Sequence, residues 1–305
     1  MKVPHFFRPR TGVSLWGAAA AAAVAVCLSA PRPATAAIDL GTAGPNYFTV
    51  LSLGGKVDLS NPSGYVNGTV GIAAPGSLQS SGPDINGTIF IQSGVTVGTS
   101  GSAQISGGVV TDNARIQLAV QDAINRSAFY ASQMGTAVTI TGNNQTITGS
   151  SALNVFNLTD LNISGGKQLT LSAPAGSQVV LNITGGFNLT GGSDILLSGG
   201  LTPSDVLYNV LGSGGQVALN GGGGNGIPEA QISGILLSPQ RKIALAPGFV
   251  NGSVIGGGGI SIVSGAKIQG VKGIPEPGTV ALLLMGGLPL CLAIFRRPGK
   301  KVAGY

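Results

Sequence analysis

The chain has 305 residues, of which 9% are charged, 43% are hydrophobic and 52 are glycine. That composition is too apolar for a disordered chain and too poor in strong helix formers for a helical bundle. The net charge of +6 sits at the two ends. Four basic residues lie in the first 36 positions (Lys2, Arg8, Arg10, Arg32) and four lie after position 295 (Arg296, Arg297, Lys300, Lys301), whereas between 37 and 273 eight basic residues face nine acidic ones, a net of −1. The middle therefore lacks the basic surface that nucleic acid requires, and no nucleic-acid partner is expected. It also contains no Cys and no His, since Cys27, Cys291 and His5 are all terminal. Thiol nucleophiles, disulfides, Ser-His-Asp triads and His/Cys metal sites are excluded there, and no cofactor or metal is expected.

Residues 1–36 read as a secretory signal peptide. A basic segment precedes the apolar run "GAAAAAAVAVCLSA" at 17–30, and "PRPATAA" follows with Ala34 and Ala36 in a small-x-small pattern. Cleavage is expected after Ala36, an uncleaved anchor being the alternative.

From 37 to 273 the chain reads as one exported domain of short strands. Apolar residues recur two apart: Val57/Leu59, Val70/Ile72, Ile89/Ile91 and Val95/Val97 early, then Leu161/Ile163, Leu169/Leu171, Leu181/Ile183, Phe187/Leu189 and Ile195/Leu197. Val217/Leu219, Ile235/Leu237, Ile243/Leu245 and Ile260/Ile262 continue the pattern. Period two means a strand with one buried face, and Gly, Ser, Asn or Pro fills the gaps. A sandwich, a barrel and a β-solenoid all fit. The solenoid is favoured because its coils need small residues at corners and can be filled with aliphatic ladders, in keeping with an aromatic content of 5%.

One segment breaks the rhythm. "TDNARIQLAVQDAINRSAFYASQM" (111–134) offers Thr111 or Asp112 as N-cap, and Ile116, Val120 and Ile124 recur at i, i+4 and i+8, with Leu118, Ala128 and Ala131 nearby. This spacing predicts a long amphipathic α-helix over about 112–133, lying against the side of the strand stack.

Chemistry in the middle would rest on Asp39, Asp58, Asp84, Asp112, Asp122, Asp160, Asp194, Asp205 and Glu229. None is paired at short spacing, so turn and cap roles are expected and no catalytic residue is assigned. The runs "GGGGNG" (221–226) and "GGGG" (256–259) do not join a strand to a helix and are not phosphate loops. For an ice-binding ladder of Thr-x-Thr, Thr139/Thr141 and Thr146/Thr148 are the close candidates, too few for a face.

The chain ends with "IPEPGTVALLLMGGLPLCLAIFRR" (274–297). Val280–Phe295 approaches the length of a membrane span, and a transmembrane segment is expected over 279–295, with the flanking arginines keeping the C-terminus in the cytoplasm. The order of Pro275, Glu276 and Pro277, an apolar helix, and the pair Arg296 and Arg297 resembles the PEP-CTERM sorting signal of Gram-negative bacteria. An ordinary single-span anchor is the alternative. The resemblance implies recognition by an exosortase, cutting near the Pro-Glu-Pro triplet, and transient membrane anchoring. The blocks "NVFNLTDLNISGGKQLTLSAPAGSQVVLNITG" (154–185), "DVLYNV" (205–210), "SGILLSP" (233–239) and "FVNGSVIGGG" (249–258) resemble the choice-of-anchor A family of exported bacterial domains, with Ser238 where that family has Ala. The order of strands, one long helix, then strands also resembles ice-binding solenoids with a lateral helix.

Together these readings imply a mainly β, solenoid protein with one packed helix and a C-terminal transmembrane segment. Its expected role is structural or adhesive at the cell surface or in the matrix, with exopolysaccharide or other surface proteins as partners. The alternatives are an extracellular polysaccharide-acting enzyme and an ice- or carbohydrate-binding module.

Overall fold

The computed structural model of the chain describes residues 37–221 and 229–271. The expected signal peptide with Ala34 and Ala36, and the expected sorting tail with Pro275, Glu276, Pro277, Arg296, Arg297 and the span 279–295, lie outside the described residues. Among the described residues no helix is long and apolar enough to cross a membrane.

The first coil consists of β1 (Val50–Ser52), β2 (Lys56–Ser60) and β3 (Tyr65–Asn67), and the second of β4 (Val70–Ile72), β5 (Ser77–Ser81) and β6 (Asp84–Asn86). β7 (Ile89–Ile91), β8 (Thr96–Ser100), a single bridge at Ile105 and β9 (Val109–Thr111) follow. The chain then enters α1 (Asn113–Ala131). Beyond it lie β10 (Thr136–Ala137), β11 (Gln145–Thr148), β12 (Leu153–Leu158), β13 (Leu161–Ile163), β14 (Gln168–Ser172), β15 (Gln178–Ile183), β16 (Phe187–Thr190) and β17 (Asp194–Ser198). The last strands are β18 (Val206–Val210), β19 (Val217–Asn220), β20 (Ala230–Ser238), β21 (Ile243–Leu245), β22 (Gly248–Gly256), β23 (Ile260–Ile262) and β24 (Lys267–Gln269).

All these strands pair in parallel and build three faces of a β-solenoid. The helix face runs β10-β12-β15-β18-β20-β22-β1-β4-β7-β9, and the open face runs β13-β16-β19-β21-β23-β2-β5-β8. The third face runs β11-β14-β17-β20-β22-β24-β3-β6, with β20 and β22 long enough to serve both it and the helix face. Each expected apolar pair falls on a strand, except that Val95 stands just before β8.

Stack order departs from chain order. The last coil pairs with the first: Val254 with Val50, Ile260 with Val57, and Ile268 with Val66. The N-terminal coils therefore continue the stack beyond the C-terminal one, and β9 and β10, neighbours in sequence, occupy opposite ends of the helix face. The helix bridges that gap. Its 19 residues span about 28 Å at 1.5 Å each. It touches β7 at one end and β15 at the other, six rungs apart, about 29 Å at the usual strand spacing.

Two cores result. One fills the solenoid with ladders of Val, Ile and Leu, including the edge-to-face pair Phe187–Tyr208 at 6.1 Å. Burial pushes the Tyr208 phenol pKa up, and its hydroxyl donates to the Ser233 carbonyl (3.1 Å). The second core lies between helix and sheet, where Ile116, Ala119, Ala123 and Tyr130 meet Val180, Leu207, Ile235, Leu237 and Ile255. Ile235/Leu237 thus point at the helix and not into the solenoid. β18 and the second halves of β20 and β22 are buried on both sides, as strands between two packed layers must be.

The helix is capped by Asp112, whose carboxylate accepts the Arg115 N–H (3.0 Å). Its buried stripe is Ile116, Ala119, Ala123, Ser127 and Tyr130. The expected stripe through Ile124 is corrected: Ile124 is 45% and Leu118 53% exposed. Small residues face the sheet because they allow the helix backbone a close approach. Arg115 closes one end of this layer, its guanidinium 4.0 Å from the Phe90 ring centroid.

Corners depend on glycine where no loop is available. β20 and β22 bend from the third face to the helix face at Gly234 and Gly252, which pair in register with φ of 143° and 152°. A Cβ on Gly252 would overlap the Gly234 carbonyl oxygen, so glycine is the residue that permits stacked bends there.

Candidate binding face

The helix face carries an amide ladder, buried at Asn182 and Asn209 and exposed at Asn157. Asn209 Nδ2 donates to Asn182 Oδ1 (2.9 Å), and Asn182 Nδ2 donates to Asn157 Oδ1 (3.3 Å). The helix locks onto it: the Ser127 hydroxyl donates to Asn209 Oδ1 (2.7 Å), and Asn209 Nδ2 and Asn182 Nδ2 donate to the carbonyls of Ser127 and Tyr130 (3.0 and 2.9 Å). These bonds satisfy polar groups that would be costly to bury unpaired. The segment from residue 38 to 48 straps across the same layer, burying Ile38, Leu40, Ala43 and Phe48. Its ties are the Asp39–Arg126 ion pair (2.6 Å) and Thr42, whose N–H and hydroxyl donate to Asp122 (2.8 and 2.7 Å). This face is structural.

Arg241 is a second structural group that sequence reading missed. It is 3% exposed and donates to four carbonyls, those of Gly212, Gly185, Thr184 and Leu211. Burial lowers its pKa, and no carboxylate is among these partners. Its acceptors are backbone atoms of separate turns, which no sequence motif marks.

The remaining carboxylates occupy turns, caps and ion pairs. Asp205 accepts the Thr202 N–H and hydroxyl (2.7 and 2.6 Å). Asp160 accepts the Gly186 N–H (2.5 Å), and Asp84 that of Gln104 (3.0 Å). Asp58 pairs with Lys56 (3.1 Å) and Glu229 with Lys267 (2.7 Å). Asp194, on the third face, has its pKa raised by burial. Among the described residues no three His, Cys, Asp or Glu side chains group to hold a metal ion.

The open face is where regular chemistry meets solvent. Register aligns Ser60, Ser81 and Ser100 in one column across β2, β5 and β8, and Ser77 with Thr96 in another. Asp58, Gln79 and Gly98 lie between them. Ser81, Thr96 and Ser100 are exposed and Ser60 and Ser77 half-buried. Parallel pairing sets the residues of a column about 4.8 Å apart, and the Ser81 hydroxyl donates to the Leu59 carbonyl (3.3 Å). Of the Thr-x-Thr candidates, Thr146 and Thr148 start similar columns on the third face, Thr146 beside Thr170 and Thr148 beside Ser172 and then Ser198, whereas the Thr141 hydroxyl donates to Gln145. The sequence signal for the open-face columns is a hydroxyl recurring one coil length apart, which a search for Thr-x-Thr within one strand passes over.

A parallel solenoid with one face sealed by a helix and another carrying in-register hydroxyls offers a regular face in place of a cleft. A family model described as an ice-binding-like adhesive domain matches residues 33–266, and the chain belongs to that family. Among solved structures, the ice-binding protein LeIBP from an Arctic yeast is similar at TM-score 0.55 and 17% identity, covering 80% of this chain and 98% of that one. A glycosylated LeIBP structure matches at TM-score 0.51 and 15% identity, covering 81% and 98%. An ice-binding protein from the Antarctic ascomycete Antarctomyces psychrotrophicus matches at TM-score 0.49 and 15% identity, covering 78% and 100%. At these identities the LeIBP likeness is one of fold. No curated protein matches the chain.

Proposed function

We propose that this chain is an exported, non-enzymatic adhesion protein whose open face grips an ordered, hydroxyl-rich solid, ice or an insoluble polysaccharide. The observation that carries the reading is the in-register set of hydroxyls on β2, β5 and β8. Each contact contributes on the order of 1 kcal/mol. A rigid face makes many at once without ordering loops, which keeps the entropic cost of binding low. Membership of an adhesive family supports the same reading.

The test presents the chain recovered from its host to slowly growing ice and, separately, to insoluble cellulose and chitin. Enrichment on at least one solid is expected, and the arm that retains the chain identifies the source of the hydroxyl lattice. Exclusion from ice together with background binding to both polysaccharides would overturn the reading.

The delivery route is part of the proposal. The signal peptide is removed after Ala36, and the tail holds the chain in the cytoplasmic membrane of a Gram-negative bacterium. An exosortase then recognises Pro275, Glu276 and Pro277, with Arg296 and Arg297 marking the cytoplasmic side, and releases the domain to the surface or matrix. Deleting Pro275–Pro277 is expected to leave the chain unprocessed in the membrane fraction. A mature mass equal to that of the parent would contradict this.

A further inference from the structure

The corner between the third face and the helix face holds a pocket of about 410 Å³, distinct from the hydroxyl columns of the open face. Its floor is a second amide ladder, formed where β3, β6 and β24 bring Asn67, Asn86 and Gln269 into one register. Asn86 Nδ2 donates to Asn67 Oδ1 (2.6 Å), and Asn67 Nδ2 donates to Gln269 Oε1 (2.8 Å). The segment leading into β1 contributes Tyr47, 41% exposed, to the lining.

Three features of this corner define a ligand. The volume falls in the range of small-ligand sites, about 300–1,000 Å³. Among the described residues, no charged side chain lines the pocket. A primary amide has two N–H donors. Asn67 and Asn86 each spend one on the ladder, which leaves a second N–H on each and the Oδ1 of Asn86 for a ligand. Donors and acceptors in a fixed row beside an exposed aromatic ring suit a molecule with many hydroxyls on one edge and C–H groups on a face. The covered pair Asn182 and Asn209 shows the contrast, because there Ser127 and Tyr130 consume the spare groups.

We propose that this pocket binds a neutral saccharide unit, held by the amides of Asn67 and Asn86 and by the ring of Tyr47. The open face then grips a solid while the corner takes a separate glycan, so that one domain can join two materials.

Isothermal titration of the intact chain, kept in mild detergent, tests this with cellohexaose, maltohexaose and mannohexaose, and with oligogalacturonate as the charged control. At least one neutral sugar is expected to bind, with no binding of the control. Tyr47→Ala and Asn86→Ala, both at exposed positions, are each expected to weaken binding roughly fivefold or more, the loss of about one good contact. Their melting temperatures should match the parent, and Gln121→Tyr on the outer side of α1 should leave the titration unchanged. Failure of all three neutral sugars, equal binding of oligogalacturonate, or affinity unchanged in both corner variants would overturn the proposal. Loss of binding in Thr96→Tyr alone would place the saccharide on the open face and also overturn it.

Discussion

The helix face and the open face are built by the same stacked coils, yet they differ in what lies over them. Under the helix, Asn182 and Asn209 form the covered part of a ladder that ends at the exposed Asn157, and Ser127 and Tyr130 take up the spare groups of the covered pair. On the open face Asn188 Nδ2 donates to Asn162 Oδ1 (2.8 Å), a similar rung, but both residues are exposed. A ladder of one residue type is thus a structural lock where it is covered and a display where it is not. The cover itself is set by topology, because a helix of this length is what joins β9 to β10 at opposite ends of the face.

The comparison can be broken most severely at the bends. Gly252→Val places a branched side chain against the Gly234 backbone at a φ that favours glycine. A loss of more than about 4 kcal/mol is expected, read as failure to accumulate folded chain or as early thermal unfolding. Next comes the covered ladder: Asn209→Ala strands the Ser127 hydroxyl and carbonyl and Asn182 Oδ1, at a cost of about 2–3 kcal/mol in denaturant titration. Asp194 gives a smaller, pH-dependent effect. Burial lifts its pKa above the ordinary 3.8, so the folded chain holds a proton that the unfolded chain has lost. Its contribution to stability therefore falls as pH rises from the ordinary carboxylate value through the raised one. Asp194→Asn should flatten that part of the pH–stability curve and raise the melting temperature at neutral pH by roughly 1–2 °C. The smallest effect belongs to the open face, where Ser81→Ala should change stability by less than about 0.5 kcal/mol.

Much of the strand content was legible, because pairs such as Leu169/Leu171 and Phe187/Leu189 have one buried side and a polar neighbour between them. The helix and its Asp112 cap were legible for the same reason of period. Its buried stripe was misread because Ala119, Ala123 and Ser127 carry little hydrophobic signal, whereas Ile124, which does, faces solvent. The docking of β22 onto β1 was not legible. It is a pairing of residues some two hundred positions apart with nothing local to announce it. Arg241 stayed hidden because its partners are carbonyls, and the hydroxyl columns because they become neighbours only after the coils stack.

The central claim is that adhesion belongs to the exposed hydroxyl columns and not to the helix side of the domain. Retention on the solid that holds the parent chain, measured for Thr96→Tyr on the open face and Gln121→Tyr on the outer side of α1, tests it most directly. The account predicts that Thr96→Tyr loses most of its retention while Gln121→Tyr keeps it, with both melting as the parent does. Equal retention of the two variants, or loss in Gln121→Tyr alone, would contradict it.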